Sequence, residues 1–226
     1  MKITYLGHNT HMIETRGVRI LTDPFITPNP MASGIDLGTL APNYLLLTHA
    51  HGDHVADVEQ LAADKDVTII SGYEIVNYFA ERKCKGHGMN IGGKYTFDWG
   101  TVKMVNALHS SVFPDGTYGG NPAGFVIWNE EGCVYIAGDT ALTLDMKLIP
   151  EICPPLDLAI LPIGDNFTMG YDDAAIAAQY VQCHRVLGCH YNTFDVIHID
   201  TNSAVQAFES KGIELLLLNI GETLEV

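Results

Sequence analysis

The feature that most constrains the fold is a group of metal-binding residue types placed directly behind a buried strand. The segment "LLLTHAHGDH" ends in His49, His51, Asp53 and His54 after an unbroken apolar run. Residues two apart in an extended chain point to the same side, so His49 and His51 can converge on one cation. A turn at Gly52 would direct Asp53 and His54 toward a second cation. We therefore expect this strand to end at an open sheet edge where other ligands gather.

Three further residues of the same chemical types follow other β-like runs. His109 ends "VKMVNALH", Asp139 ends "CVYIAGD" and His190 ends "RVLGCH". Because the carboxyl ends of strands collect ligands at one edge of an α/β sheet, we expect them to join the first cluster. One cation could take His49, His51 and His109, and another Asp53, His54 and His190, with Asp139 between them. Five imidazoles and two carboxylates suit two divalent transition metals, with zinc the first choice and manganese, iron or nickel as alternatives.

The hydrophobic pattern predicts hairpins early in the chain and alternating helices and strands in its last third. The runs "KITYL", "THMIET" and "VRILTD" predict an antiparallel meander, and "NYLLLT" predicts a strand buried on both faces. Hairpins are expected to turn near residues 98–100 and 129–132. Expected helices are "DVEQLAA", "YEIVNYFAERK", "TLDMKLIPEI", "YDDAAIAAQYVQC" and "TNSAVQAFESK", and later strands are "LDLAILPI", "RVLGCH" and "IELLLLNI". This mixture predicts mixed sheets covered by helices, in a single domain that spans residues 1–226.

The charge balance limits the kinds of partner. With 12 Lys and Arg residues against 27 Asp and Glu residues, the formal net charge is -15. Such a field repels nucleic-acid backbones and anionic lipid surfaces, so neither nucleic acid nor a membrane is an expected partner. The five cysteines form no CxxC pair, which favours buried thiols in a reducing compartment. The strand-like N-terminus and the absence of a long apolar run predict a cytoplasmic protein.

Several motifs together resemble a known family. HxHxDH, the later histidine, "GDT" and "CHYNTF" resemble the metallo-β-lactamase superfamily, and "ITYLGHNTHMIE", "ILTDPF" and "AGDT" are similar to the small metal-dependent hydrolases allied to ascorbate-6-phosphate lactonase. The resemblance covers nearly the whole chain and implies a four-layer αββα sandwich, with a metal site between the tops of two mixed β-sheets flanked by helices. It implies the same seven ligands and a supporting role for Asp23, which would orient the metal-binding loop. Asp165 and His198 depart from the family pattern. Both departures affect the expected substrate loops and not the expected metal ligands.

The chemistry expected of such a site is metal-dependent hydrolysis. Two neighbouring cations would lower the pKa of a shared water, so a bridging hydroxide is the expected nucleophile. Asp139, between the cations, and Asp53, a hypothetical proton carrier, are the expected catalytic residues. The substrate would be a small ester, lactone, amide or phosphodiester. A mono- or di-iron oxidoreductase on the same fold is the alternative, and a non-enzymatic binding protein is the third reading.

Four residues in glycine-rich and aromatic loops are expected to contact a small-molecule substrate: Asn121, Asn166, Met169 and Asn192. The loops "TYGGNPAGF" and "DNFTMG" contain no Lys or Arg, which predicts a small neutral or weakly polar substrate. The remaining histidines have no comparable support, and structural or solvated roles are expected for them, although His8 in "LGHNTH" could lie near the site. An edge strand could also pair two copies into a homo-oligomer.

Overall fold

The computed structural model describes residues 1–226 and contains two seven-stranded sheets. The strands of the first sheet are β1 (Lys2–Tyr5), β2 (His11–Thr15), β3 (Val18–Thr22), β4 (Tyr44–Leu46), β5 (Thr68–Gly72), β6 (Lys85–Met89) and β14 (Thr223–Glu225). Those of the second are β7 (Lys94–Phe97), β8 (Gly100–Asn106), β9 (Ala123–Asn129), β10 (Gly132–Ile136), β11 (Leu158–Pro162), β12 (Arg185–Cys189) and β13 (Glu214–Leu216). The spatial orders are β14-β1-β2-β3-β4-β5-β6 and β13-β12-β11-β10-β9-β8-β7.

Both sheets are mixed, as the pattern predicts. In the first, β1, β2 and β3 form an antiparallel meander, and β3 to β6 run parallel to one another. In the second, β7 to β10 are antiparallel neighbours, and β10 to β13 run parallel. The two expected hairpins are β7–β8 and β9–β10, so both predictions are confirmed.

Helices cover the outer face of each sheet. They are α1 (Leu37–Leu40), α2 (Gly52–Val55), α3 (Val58–Ala62), α4 (Tyr73–Ala80), α5 (Ile149–Ile152), α6 (Tyr171–Tyr180) and α7 (Thr201–Glu209), with 3-10 turns at Pro30–Ala32, Leu144–Leu148 and Asp195–Ile197. The first four pack on the first sheet and the last three on the second. No helix has the length and apolar character needed to cross a lipid bilayer.

The packing of β4 shows why its sequence is apolar throughout. Leu46 points into a core shared by both sheets, where Phe125 and Ile160 of the second sheet lie. Leu45 and Leu47 point the other way, into the core beneath the helices of the first sheet. Alternate residues of one strand therefore contact different cores, and each needs an apolar side chain. The result is the four-layer αββα sandwich that the sequence predicts.

Strand direction determines where the site forms. Pairing makes β1, β3 and β4 run in one direction in the first sheet, and β8, β10, β11 and β12 share a direction in the second. Their carboxyl ends therefore lie at the same end of each sheet, and the loops that follow these strands can meet.

The structure also differs from the expected elements. The segment "TLDMKLIPEI" is a 3-10 turn followed by one helical turn, because Pro150 cannot continue a helix from the preceding residues. The strand in "IELLLLNI" is only β13, and β14 and β6 have no clear pattern in the sequence. In β6, a Cβ on Gly86 would lie 2.6 Å from Cγ1 of Val76, so glycine lets α4 pack closely on the sheet.

Candidate metal centre

The first group of imidazoles forms where β4 and β8 end. His49 is buried two residues beyond Leu47, His51 directly precedes α2, and His109 follows β8. Nε2 of His49 lies 3.0 Å from Nδ1 of His51, and the ring centroids of His51 and His109 are 5.1 Å apart. One nitrogen from each of these histidines lies within 4.8 Å of the others. The structure thus brings together the three residues predicted for the first cation.

The second group forms between α2 and the end of β12. Asp53 and His54 lie in the single turn of α2, which begins at Gly52, so the expected turn is present. Gly52 has no positive φ, so this turn is helical and does not depend on the conformational freedom of glycine. His190 follows β12 with a φ of 54°, an uncommon left-handed conformation for histidine. Oδ2 of Asp53 is 3.7 Å from Nε2 of both His54 and His190.

Asp139 lies between the two groups. Its Oδ2 is 3.1 Å from Nε2 of His190, 3.6 Å from Nε2 of His109 and 3.9 Å from Nε2 of His49, and its Oδ1 is 3.4 Å from Nε2 of His54. A glycine makes this approach possible. A Cβ on Gly138, whose φ is 63°, would lie 2.7 Å from Cβ of Thr48. The loops after β10 and β4 can therefore touch, and one carboxylate faces both groups.

Asp23 supports the centre from behind. Its Oδ2 accepts hydrogen bonds from Nδ2 of Asn9 at 2.7 Å and Oγ1 of Thr48 at 2.6 Å, and it lies 2.9 Å from Nδ1 of His54. Its Oδ1 accepts from the backbone amide of Thr48 at 2.8 Å. A proton on Nδ1 of His54 satisfies this carboxylate and leaves the Nε2 lone pair facing the centre. This contact agrees with the predicted supporting role.

The donor set fits bound cations. Nε2 of His54, Nε2 of His190 and Oδ1 of Asp139 are buried and make no hydrogen bond of good geometry. Buried polar atoms are normally paired, because an unsatisfied one costs about 1–3 kcal/mol. The three atoms face the space shared by the two groups, where a cation would satisfy them together. Imidazole nitrogen and carboxylate oxygen are ligands that divalent transition metals accept.

The two groups also differ in the charges of their side chains. Burial opposes the charge on Asp139, but His54 and His190 outweigh it and hold the pKa of its carboxyl well below the usual range. For His190, burial is outweighed by Asp139, and its pKa rises to about 9. Burial lowers the pKa values of His49, His51 and His109, so these rings are neutral. Without metal, protons on His54 and His190 balance the carboxylates, and a cation could replace them.

His8 belongs to the site, although sequence reasoning assigned it a structural or solvated role. It is buried; its Nε2 is 3.0 Å from Oδ2 of Asp53 and its Nδ1 is 3.0 Å from Oγ1 of Thr193. The ring centroid lies 4.0 Å from that of His190. Burial lowers the pKa of His8 to about 4, so the ring is neutral and can donate one proton to Asp53. The available signal was its place directly after β1.

The four residues expected to contact substrate have different environments. Met169 is 1% exposed and packs in the core beneath α6, so its side chain is not accessible to a ligand. Oδ1 of Asn192 accepts from the backbone amide of Ile199 at 2.9 Å and stabilises its own loop. Asn121 and Asn166 are exposed on loops at the same end of the molecule as the centre. For these two, substrate contact stays a prediction.

Comparison with known proteins identifies the family. The family model described as Beta-lactamase superfamily domain matches residues 2–190. The UPF0173 metal-dependent hydrolase of Flavobacterium johnsoniae is 55% identical over 226 residues and covers 100% of both chains. That of Christiangramia forsetii is 50% identical, again over 100% of both chains.

A solved structure shows the same likeness. Igni18, described as a novel metallo hydrolase from the hyperthermophilic archaeon Ignicoccus hospitalis, matches with a TM-score of 0.89 at 33% identity, covering 100% of this chain and 97% of that chain. The two mixed sheets and the histidine-aspartate cluster agree with these likenesses. The chain therefore belongs to the metallo-β-lactamase superfamily, within the UPF0173 family of metal-dependent hydrolases.

Proposed function

We propose that this protein hydrolyses a small uncharged ester, lactone or amide with two divalent transition metals. The observation that carries the proposal is the position of Asp139, whose carboxylate lies within 3.9 Å of histidines from both groups: Oδ2 faces His49, His109 and His190, and Oδ1 faces His54. A single carboxylate between two ligand groups is suited to hold two cations close together. Zinc is the first choice, and manganese, iron and nickel accept the same donor set.

The ligands divide into two sets around Asp139. His49, His51 and His109 would hold one cation, and Asp53, His54 and His190 the other. Bound divalent cations lower the pKa of water toward neutrality and polarise the electrophilic oxygen of a substrate. No serine or cysteine nucleophile is then required, which agrees with burial of Cys84, Cys133, Cys183 and Cys189.

Asp53 is the residue placed to move a proton. Its side chain is 28% exposed, whereas that of Asp139 is 3% exposed, so Asp53 is the carboxylate that solvent can reach. His8 holds its Oδ2 and fixes its direction. The Asp53→Asn variant should therefore lose far more turnover than metal. Equal loss of turnover and metal content would remove the proton-transfer role and leave Asp53 as a ligand only.

The charge around the site argues for an uncharged substrate. None of the 12 Lys and Arg residues lies in the loops that surround the centre, residues 6–10, 23–43, 47–57, 107–122, 137–143, 163–170 and 190–200. Arg82 approaches the 107–122 loop, but it is paired with Glu59 at 3.2 Å and Asp115 at 3.7 Å and stacks on Tyr78. A phosphate or carboxylate on the substrate would have no free cationic side chain to bind.

Stepwise metal loading tests the proposal. Chelator-treated protein would receive one and then two equivalents of zinc or manganese and be assayed with neutral aryl esters, lactones and a phosphorylated lactone. We expect hydrolysis of the neutral compounds to require the second equivalent. Full activity at one equivalent would contradict the two-metal mechanism. Oxygen uptake by iron-loaded protein, without hydrolysis in any metal form, would instead identify an oxidoreductase.

A further inference from the structure

Large apolar side chains are exposed on four separate loops around the centre. They are Met31 after β3, Leu108 after β8, Phe167 after β11 and Phe194 after β12, with exposures of 51%, 57%, 54% and 37%. We call these four residues the hydrophobic rim. Single exposed apolar residues are common on protein surfaces, but several of them on the loops around a polar metal centre are typical of a binding site.

Two members of the hydrophobic rim, Leu108 and Phe194, lie on loops that carry metal ligands. The ring of Phe194 lies 5.4 Å from that of His8, which contacts Asp53. Leu108 directly precedes His109, and its backbone amide donates to Oγ1 of Thr140 at 3.0 Å.

The loop that carries Phe167 is joined to the same point. The backbone amide of Met169 donates to the carbonyl oxygen of Thr140 at 3.0 Å, and Thr140 directly follows Asp139. These hydrogen bonds tie the loops that carry Leu108 and Phe167 to the residue that follows Asp139.

The polar residues of the rim loops strengthen the inference. Asp165 lies in the loop of Phe167 and Asp195 in that of Phe194, while these loops contain no Lys or Arg. An anionic substrate would be repelled, whereas an uncharged apolar group would lose water-exposed surface on contact with the rim.

We propose that the hydrophobic rim binds an apolar acyl or aryl group of an uncharged ester, lactone or amide. This inference rests on the proposed hydrolytic function. The apolar group would lie against Leu108, Phe167 and Phe194, and the scissile carbonyl would then lie beside the cations that Asp139 and Asp53 would help to hold. Substrate preference is set by apolar length instead of by an anionic anchor.

A homologous substrate series tests the rim. For p-nitrophenyl esters from acetate to octanoate, kcat/KM should rise about two- to fourfold for each added methylene while the chain stays on the rim. Leu108→Ala and Phe167→Ala should flatten this rise. Leu148→Ala is the matched control, because Leu148 is 56% exposed but lies outside these loops, and it should leave the rise unchanged. An ester of equal length that ends in a carboxylate should be a poorer substrate.

Binding of unreactive ligands separates this inference from the hydrolytic function. Isothermal titration with methyl n-alkyl ketones should show affinity that increases with chain length and weakens in Leu108→Ala, whether or not the protein hydrolyses any ester. Hydrolysis without chain-length dependence, and ketone binding unaffected by the variant, would overturn the rim proposal alone. Dimerisation lost in Leu108→Ala, with flat substrate and ketone series, would identify the rim as a subunit interface and also overturn it.

Discussion

Replacing Asp23 with asparagine should weaken binding of the second metal in a protein that still folds. Asparagine tolerates the backbone φ of 36° at this position, so the substitution changes chemistry with little backbone strain. It keeps one oxygen for the amide of Thr48 but places an NH2 group where Oδ2 faces Asn9, Thr48 and His54. A donor on that side favours the His54 tautomer whose proton lies on Nε2, and this nitrogen then cannot bind a cation.

The size of the effect follows from the bonds that are lost. The hydroxyl of Thr48 can rotate and accept, and Nδ1 of His54 accepts in its changed tautomer, which leaves one buried donor, on Asn9, without the carboxylate. At about 1.5–3 kcal/mol for a hydrogen bond to a charged group, the free energy of unfolding should fall by about 1.5–3 kcal/mol. At about 2–4 °C per kcal/mol for a domain of this size, Tm should fall by at least about 3 °C. Affinity for the second metal should fall about 10- to 100-fold.

Asp57 provides the matched control for this variant. It is also buried, and its Oδ2 accepts from the backbone amides of Ile26 at 2.6 Å and Thr27 at 3.0 Å, while its side chain makes no hydrogen bond to a candidate ligand. Asp57→Asn should lower Tm but keep both metals, as measured by thermal unfolding and competition titration. If Asp23→Asn binds the second metal as tightly as Asp57→Asn does, the orienting role of Asp23 is wrong.

Three further predictions follow from the site. In His8→Asn, where asparagine tolerates the backbone φ of 54°, affinity for the second metal should fall about tenfold because Asp53 loses its hydrogen bond. Unchanged affinity in a competition titration would assign His8 a packing role only. Because a cation must displace the proton of His190, whose pKa is about 9 without metal, this group alone should raise affinity up to about tenfold per pH unit below pH 9, and displacement of the His54 proton adds to the rise; a flat profile between pH 6 and 8 would contradict this. Gly164→Ala should lower the free energy of unfolding, measured by chemical denaturation, by at least about 1–3 kcal/mol, because the added Cβ would lie 2.0 Å from the carbonyl oxygen of His190. Gly34→Ala adds a methyl group in open space and should leave the free energy of unfolding nearly unchanged.

The ligands could be predicted from sequence because their positions follow from strand ends. The apolar run of β4 identifies a strand buried on both faces, and the residues after it must emerge at its carboxyl end. His109, Asp139 and His190 follow strands that run to the same end of the sandwich. Local pattern and strand direction together therefore bring seven distant positions to one place.

Other features depend on contacts that local pattern does not encode. His8 also follows a strand, but it reaches Asp53 only because its backbone is left-handed and its carbonyl accepts from the amide of His190 at 2.9 Å. β14 forms by pairing with β1 at the opposite end of the chain, and its three residues have no strong strand pattern of their own. Met169 lies in a loop expected to contact substrate. Its side chain instead fills the room that the small alanines of α6 leave in the core.

Metal analysis of three proteins tests the two-metal centre most directly. Wild type, His54→Ala and His184→Ala would be purified without added metal or chelator and measured by inductively coupled plasma mass spectrometry. His184 is exposed and outside the centre, so its variant controls for loss of any histidine. We expect about two transition metals per chain in wild type and His184→Ala, and about one in His54→Ala. One metal per chain in all three proteins would contradict a dinuclear centre.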